Sequence, residues 1–109
     1  MKLAIIGSRG INDIDIAAYL PEGVTEIVSG GAKGVDALAR DYARNNNIKL
    51  TEFLPQYDRY GRAAPLKRNG QIADYADAAL VFWDGRSKGT EHTVKLFQKN
   101  GKAVTVIGA

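Results

Sequence analysis

Four short stretches set glycine beside residues that bind anions. They are Gly7-Ser8-Arg9-Gly10, Ser29-Gly30-Gly31-Ala32-Lys33-Gly34-Val35-Asp36, Gln56 to Arg62, and Asp84-Gly85-Arg86-Ser87-Lys88-Gly89-Thr90. Glycine lets a ligand approach the backbone closely. Hydroxyls, backbone N–H groups and arginine donate to phosphate oxygens, and an aspartate accepts from a sugar hydroxyl. This combination suits a phosphorylated ligand. The second stretch matches neither common glycine fingerprint. Lys33 precedes Gly34, so there is no Gly-Lys-Ser/Thr, and Gly30 onward does not read G-x-G-x-x-G. Asp36 has two readings. In the first turn of a helix it favours the helix dipole by roughly 0.3–1 kcal/mol, or it hydrogen-bonds a ligand hydroxyl.

Those stretches need elements to hold them. Leu3 to Ile6, Glu26 to Val28, Ile48 to Leu54, Ala78 to Trp83 and Ala103 to Ile107 read as strands. The fourth and fifth are apolar runs of the kind buried in parallel sheets. In the third, Ile48, Leu50 and Phe53 are the inward positions. Helical segments lie between the strands. Ile14 to Leu20 is short and is stopped by Pro21. Gly34 to Asn46 places Val35, Leu38, Ala39, Tyr42 and Ala43 on one face. Pro65 opens a helix reaching Ala76, with Leu66, Ile72, Ala73 and Ala76 as apolar positions. Ser87 or Lys88 opens the last helix, with Val94 and Phe97 inward and Asn100-Gly101 as its stop.

Strict alternation predicts parallel strands joined by right-handed crossovers. The expected fold is α/β: a three-layer, Rossmann-like parallel sheet of five strands in the order 3-2-1-4-5, with helices on both faces. The order 2-1-3-4-5 is the competing topology. In such sheets ligands bind beyond the carboxyl ends of the strands, where the strand order reverses. Each glycine-bearing stretch follows a strand.

The 109 residues predict one domain, 1–109. There is no cysteine and one histidine, which excludes a disulfide framework, a thiolate metal site and a multi-histidine metal site. No apolar run approaches the roughly 20 residues of a membrane span, so no membrane partner is expected and a cytoplasmic location is the default. The net charge of +3 fits an anionic ligand but is too small to imply nucleic acid by itself. Its distribution says more. Arg9, Lys33, Arg59, Arg62, Lys67, Arg68, Arg86 and Lys88 are all predicted near the ligand-binding edge, against the acids Asp36, Asp58, Asp84 and Glu91.

Gly7-Ser8-Arg9, Ser29 to Asp36, Lys67-Arg68-Asn69 with Ile72 and Ala73-Asp74, and Trp83 to Thr90 occur in that order. Together they resemble the YspA/YpsA-related branch of the SLOG superfamily over nearly the whole chain. The resemblance implies a Rossmann-like fold and a nucleotide or nucleotide-derivative ligand, held by a sensor or ligand-processing domain. It implies that Gly7, Ser8 and Arg9 line the first loop, and that Ser29, Gly30, Gly31, Gly34 and Asp36 contact ribose or base. It also implies that Arg68 and Asn69 approach from the third helix and that Ser87, Gly89 and Thr90 cradle a phosphate, beside Asp84.

Two relatives suggest alternatives. Gly89-Thr90 matches the Gly-Thr of the LOG phosphoribohydrolase loop, but the preceding Pro-Gly-Gly is absent, and Thr93 stands where that motif has glutamate. If the chain is an enzyme, it is a hydrolase of a nucleoside monophosphate, with Asp36, Asp84 and Glu91 as candidate acids or bases. Residues 29–36, 68–72 and 87–93 parallel stretches of DprA, which implies single-stranded nucleic acid as an alternative partner. A homo-oligomer would also fit SLOG relatives. No cofactor beyond the nucleotide ligand is expected.

Four aromatic or imidazole side chains near this edge have double readings. Trp83 stacks on a base or packs. Tyr57 and Tyr60 stack bases among arginines or fold over their own domain. His92 is a surface, core or catalytic residue. Tyr42 and Phe97 are expected in the core.

Overall fold

A computed structural model describes residues 1–108. Its strands are β1 (Lys2–Gly7), β2 (Glu26–Ser29), β3 (Lys49–Glu52), β4 (Ala78–Trp83) and β5 (Ala103–Gly108). Its helices are α1 (Val35–Asn45), α2 (Tyr57–Tyr60), α3 (Ala64–Tyr75) and α4 (Lys88–Lys99). All four strand pairings are parallel, and the order is β3-β2-β1-β4-β5. The fold is therefore the expected Rossmann-like one, and the competing order is excluded. β1 is central, with Ala4 level with Val28 on one side and Ala79 on the other.

Side chains of a strand alternate between faces, and this splits the core in two. Leu3, Ile5, Ile27, Leu80 and Phe82 pack under Val35, Ala39 and Ala43 of α1. Ala4, Val28, Ala79 and Val81 pack on the opposite face under Ile72 and Ala73 of α3 and Phe97 of α4. The chain thus winds one way through β1 to β3 and the other way through β4 and β5. β1 and β4 stay paired through Gly7 and Phe82, but the connections that leave them go to opposite faces of the sheet, and a crevice forms where they part.

Local signals explain where the helices start and stop. Pro65 sits in the first turn of α3, where its missing N–H costs nothing. The Ser87 hydroxyl caps α4 by accepting from the Thr90 N–H. After α1 the backbone turns through Asn47 at φ 54°, a left-handed conformation that asparagine tolerates better than most residues.

Five expectations are corrected. Ile14 to Leu20 forms only a 3₁₀ turn at Ile16–Ala18, anchored by buried Ile16. Asp15 makes no side-chain capping bond at its start, and Pro21 disfavours helical backbone at Leu20. The stretch after β3 is not an open loop, because α2 and a 3₁₀ turn at Gly61–Ala63 occupy it. Neither buries a residue, so no apolar periodicity marked them. β5 takes the edge place its order gives it but is not the buried run expected, because an edge strand is covered on one side only, and Val106 is 44% exposed. Leu66 is 52% exposed, because it faces the cleft described below. Phe53 lies past the end of β3 and packs on the face opposite Ile48 and Leu50, edge-on to Tyr75 at 5.4 Å. Phe97 is fully buried and Tyr42 half-buried against the α1-side core. Among the described residues no helix is long and apolar enough to cross a membrane.

At the opposite end of the sheet from the cleft, Glu26 is buried at 6% exposure. Its Oε2 accepts from the hydroxyls of Tyr75 at 2.5 Å and Thr51 at 2.7 Å, and Lys49 Nζ lies 3.4 Å from Oε1. The Tyr75 hydroxyl foremost, then Thr51, hold the carboxyl below its ordinary range against the opposing effect of burial. A depressed folded pKa contributes stability above the unfolded value, and that stability is lost as pH falls through the folded one. Tyr75→Phe is therefore expected to cost about 1–2 kcal/mol at pH 7. The gap to wild type should narrow below about pH 4.5, where unfolded glutamate protonates. Urea titrations of both proteins at pH 7 and pH 3.5 check this, and a gap that widens in acid contradicts it.

Candidate functional site

The exits of β1, β2 and β4 enclose a cleft of about 440 Å³ with α3 and α4 as its walls. Ser8 ties the two central exits together. Its N–H donates to the Phe82 carbonyl at 3.1 Å, and its hydroxyl accepts from the Asp84 N–H at 3.2 Å. Ser8 is 2% exposed, so this hydroxyl is a fixed part of the cleft floor.

The second exit is built largely for the protein's own packing. Ser29 is fully buried, and its hydroxyl accepts from the Gly31 N–H at 3.2 Å. A Cβ on Gly30 would lie 2.6 Å from Arg68 Nη1 and 3.1 Å from Asp36 Oδ2. Gly30 therefore makes room for Arg68, which donates to the Gly30 carbonyl at 2.7 Å. Gly34 has φ 74°, and a Cβ there would lie 2.6 Å from the Arg9 carbonyl oxygen. It seats the start of α1 against the first loop. Ser29, Gly31 and Gly34 lie outside the cleft lining, whereas Gly30 and Asp36 line it.

Asp36 is 7% exposed, and its Oδ2 accepts from the Ala32 N–H at 3.1 Å. Burial pushes this carboxyl above its ordinary range, while the Ala32 N–H and then the Arg68 guanidinium pull it back. No ion-pair contact joins Asp36 to Arg68 among the described residues. Burial likewise acts against the charge of Arg68, and Asp36 opposes that effect.

The fourth exit turns into α4. Asp84 Oδ1 accepts from the N–H groups of Arg86 at 2.8 Å and Ser87 at 2.9 Å. These two bonds, Ser87 first, hold the exposed Asp84 carboxyl below its ordinary range. Ser87 Oγ lies 3.0 Å from Thr90 Oγ1, and Trp83 Nε1 donates to the Ser87 carbonyl at 3.0 Å. Trp83 is thus an anchor for the turn and does not line the cleft. The first N–H groups of a helix find no acceptor within it, which leaves those of Lys88 and Gly89 facing outward from the first turn. Ser87, Gly89 and Thr90 all line the cleft.

Gly7, Ser8, Arg9, Arg68, Asn69 and Asp84 line it as well. Glu91 does not. It pairs with Lys95 at 2.9 Å, and that lysine holds its carboxyl below the ordinary range. Of the eight basic residues expected at this edge, Arg9 and Arg68 reach the lining, opposite Asp36 and Asp84. The lining therefore sets two basic side chains beside two acidic ones, and backbone N–H and hydroxyl dipoles stand among them. Arg59 lies 5.0 Å and Lys67 5.8 Å from the Tyr60 ring, so that tyrosine folds among its own neighbours. Tyr57, 58% exposed, is outside the lining.

Gly10 and Ala32 lie within the stretches expected at this edge without being singled out as contacts, Ile6, Pro65, Ile72 and Thr93 were missed, and Leu66 was taken for core. Helical spacing was the available signal for several. Pro65 and Ile72 flank Arg68 and Asn69 by three or four residues, and Thr93 follows Thr90 by three, which puts each on the same helix face. Among the described residues no group of three or more His, Cys, Asp or Glu side chains is placed to hold a metal ion.

Two comparisons with known proteins bear on this site. The model of the YspA, cpYpsA-related SLOG family matches residues 1–60, which run from β1 through α2. The Gene 61 protein of Mycobacterium phage D29 is 35% identical over 88 residues, covering 75% of this chain and 70% of that protein. No solved structure matches the chain.

Proposed function

Because the chain belongs to the YspA, cpYpsA-related SLOG family, we propose that its cleft binds a nucleotide or nucleotide derivative. The phosphate lies on the first turn of α4, against Ser87, Gly89 and Thr90. The ribose lies toward Asp36, whose carboxylate accepts from a hydroxyl, and Arg68 meets an anionic oxygen between them. Pro65 and Leu66 offer the apolar surface for the base. A volume of about 440 Å³ falls within the range of small-ligand pockets.

The observation that carries this reading is Gly89. It is the second residue of α4, it lines the cleft, and a Cβ there would meet nothing within 4 Å. Packing gives no reason for a glycine, and alanine is the better helix former by up to about 1 kcal/mol in a helix interior. Close approach of a phosphate does give a reason. Gly89→Ala is therefore expected to keep or raise the melting temperature while weakening AMP binding by about tenfold or more. Calorimetric titration with AMP measures this, and wild-type affinity in the variant would remove the phosphate from this turn.

Ligand identity is tested by thermal shift with AMP, ADP, ATP, NAD and ADP-ribose. A ligand at 100 times its Kd adds about 2.7 kcal/mol. No shift across the panel at millimolar concentration sinks the reading.

One observation favours hydrolysis as a second reading. Asp36 is a buried carboxyl on the cleft whose pKa burial raises, a shift in the direction that suits a general acid. Chromatography of AMP after incubation with the protein decides it, because unchanged AMP removes a hydrolytic role.

A further inference from the structure

His92 belongs to α4 but does not line the cleft. Its surroundings give it a role. Arg68 has only donors. Its Nε–H donates to Asn69 Oδ1 at 3.0 Å and its Nη1 to the Gly30 carbonyl at 2.7 Å. Since Arg68 can only donate, the Asn69 amide oxygen must face it, and the amide nitrogen must point the other way. That nitrogen lies 3.3 Å from His92 Nδ1. An amide nitrogen also only donates, so His92 Nδ1 must carry the lone pair and the imidazole proton must sit on Nε2. Asn69 is 7% exposed, so water is a poor substitute for either partner. Donor and acceptor logic leaves the chain His92–Asn69–Arg68–Gly30 one arrangement.

We propose that His92 is a positioning residue for Arg68. By accepting from Asn69 it locks the amide with its oxygen toward Arg68, and the amide in turn fixes the guanidinium across the cleft. Two of the five N–H groups of Arg68 are used in this way, which leaves three to meet an anionic ligand. The ligand half of this inference rests on the nucleotide reading above. The positioning half is read in the ligand-free protein.

Nitrogen NMR of ligand-free protein is expected to show the His92 Nε2–H tautomer and a slowly exchanging Arg68 Nε–H signal. In His92→Leu, which has no acceptor, that signal is lost and AMP binds about tenfold more weakly. In His92→Gln, whose amide oxygen can accept, the signal returns and affinity recovers to within about threefold of wild type. An Nδ1–H tautomer overturns the proposal, as does an Arg68 signal unchanged in His92→Leu, or a His92→Gln that behaves like His92→Leu. Should His92→Leu not fold, the tautomer and His92→Gln decide. Wild-type protein that shows the expected tautomer and Arg68 signal but binds no nucleotide overturns the nucleotide reading instead and leaves the positioning role standing.

Discussion

Replacing Gly34 with alanine is expected to cost about 3 kcal/mol or more and to lower the melting temperature by more than about 10 °C. Two penalties act together. The backbone at Gly34 has φ 74° and ψ −125°, a region that side chains avoid because Cβ meets the chain's own carbonyls. The added Cβ would also lie 2.6 Å from the Arg9 carbonyl oxygen and 2.8 Å from that of Ile11. Both contacts are with backbone, so relief requires moving the first loop away from the start of α1. That movement spoils the cleft as well, because Ser8, Arg9 and Gly10 form one wall of it. Gly10→Ala is the matched control, because a Cβ there meets nothing within 4 Å. Thermal denaturation of the two variants separates the cases. A Gly34→Ala protein that melts with Gly10→Ala would show that the loop does not rest on Gly34.

Asp36→Asn is expected to act in opposite directions on stability and on binding. The Asp36 carboxyl is buried, which raises its folded pKa. A carboxyl raised above its unfolded value has its full stability contribution below that value, about 3.9 for aspartate, and loses it as pH rises through the folded value. At neutral pH the ionised form is thus a liability to the empty protein. Asparagine keeps an acceptor for the Ala32 N–H without the charge. The variant should equal or exceed wild type in melting temperature at pH 7, with the difference growing from pH 4 upward. Its affinity for AMP should fall by about tenfold or more, because a hydroxyl donor loses a charged acceptor. Denaturation across pH combined with AMP titration checks both halves. A wild type more stable than the variant at pH 7 would mean that the carboxylate holds the fold together. A group that weakens the fold while facing the cleft is what a binding role leads one to expect.

The same cleft shows why some residues were legible in the sequence and others were not. Ser8 follows β1 directly, and Ser87, Gly89 and Thr90 close the short turn from β4 into α4, at the point where the winding reverses, so topology puts them at the cleft. Leu66 looked like core because it is apolar and stands seven residues, two helical turns, before the buried Ala73. Only the three-dimensional arrangement shows that its part of α3 overhangs the cleft and leaves it 52% exposed. His92 gave no signal, since its partner Asn69 is 23 residues away and on another helix.

Strand and helix alternation and the gathering of glycine-rich turns at one sheet edge follow from local pattern, because apolar periodicity acts over a few residues at a time, whereas the central place of β1 is decided by the sheet pairing that excludes the order 2-1-3-4-5. What each glycine is for does not follow from local pattern either. Gly30, Gly34 and Gly89 look alike in the chain. The folded structure separates them, because Arg68 fills the space beside Gly30, the Arg9 carbonyl fills the space beside Gly34, and nothing fills the space beside Gly89. The absence of a side chain is one local fact. Whether protein or ligand occupies the room it leaves depends on contacts tens of residues away, and those exist only once the sheet has brought the turns together.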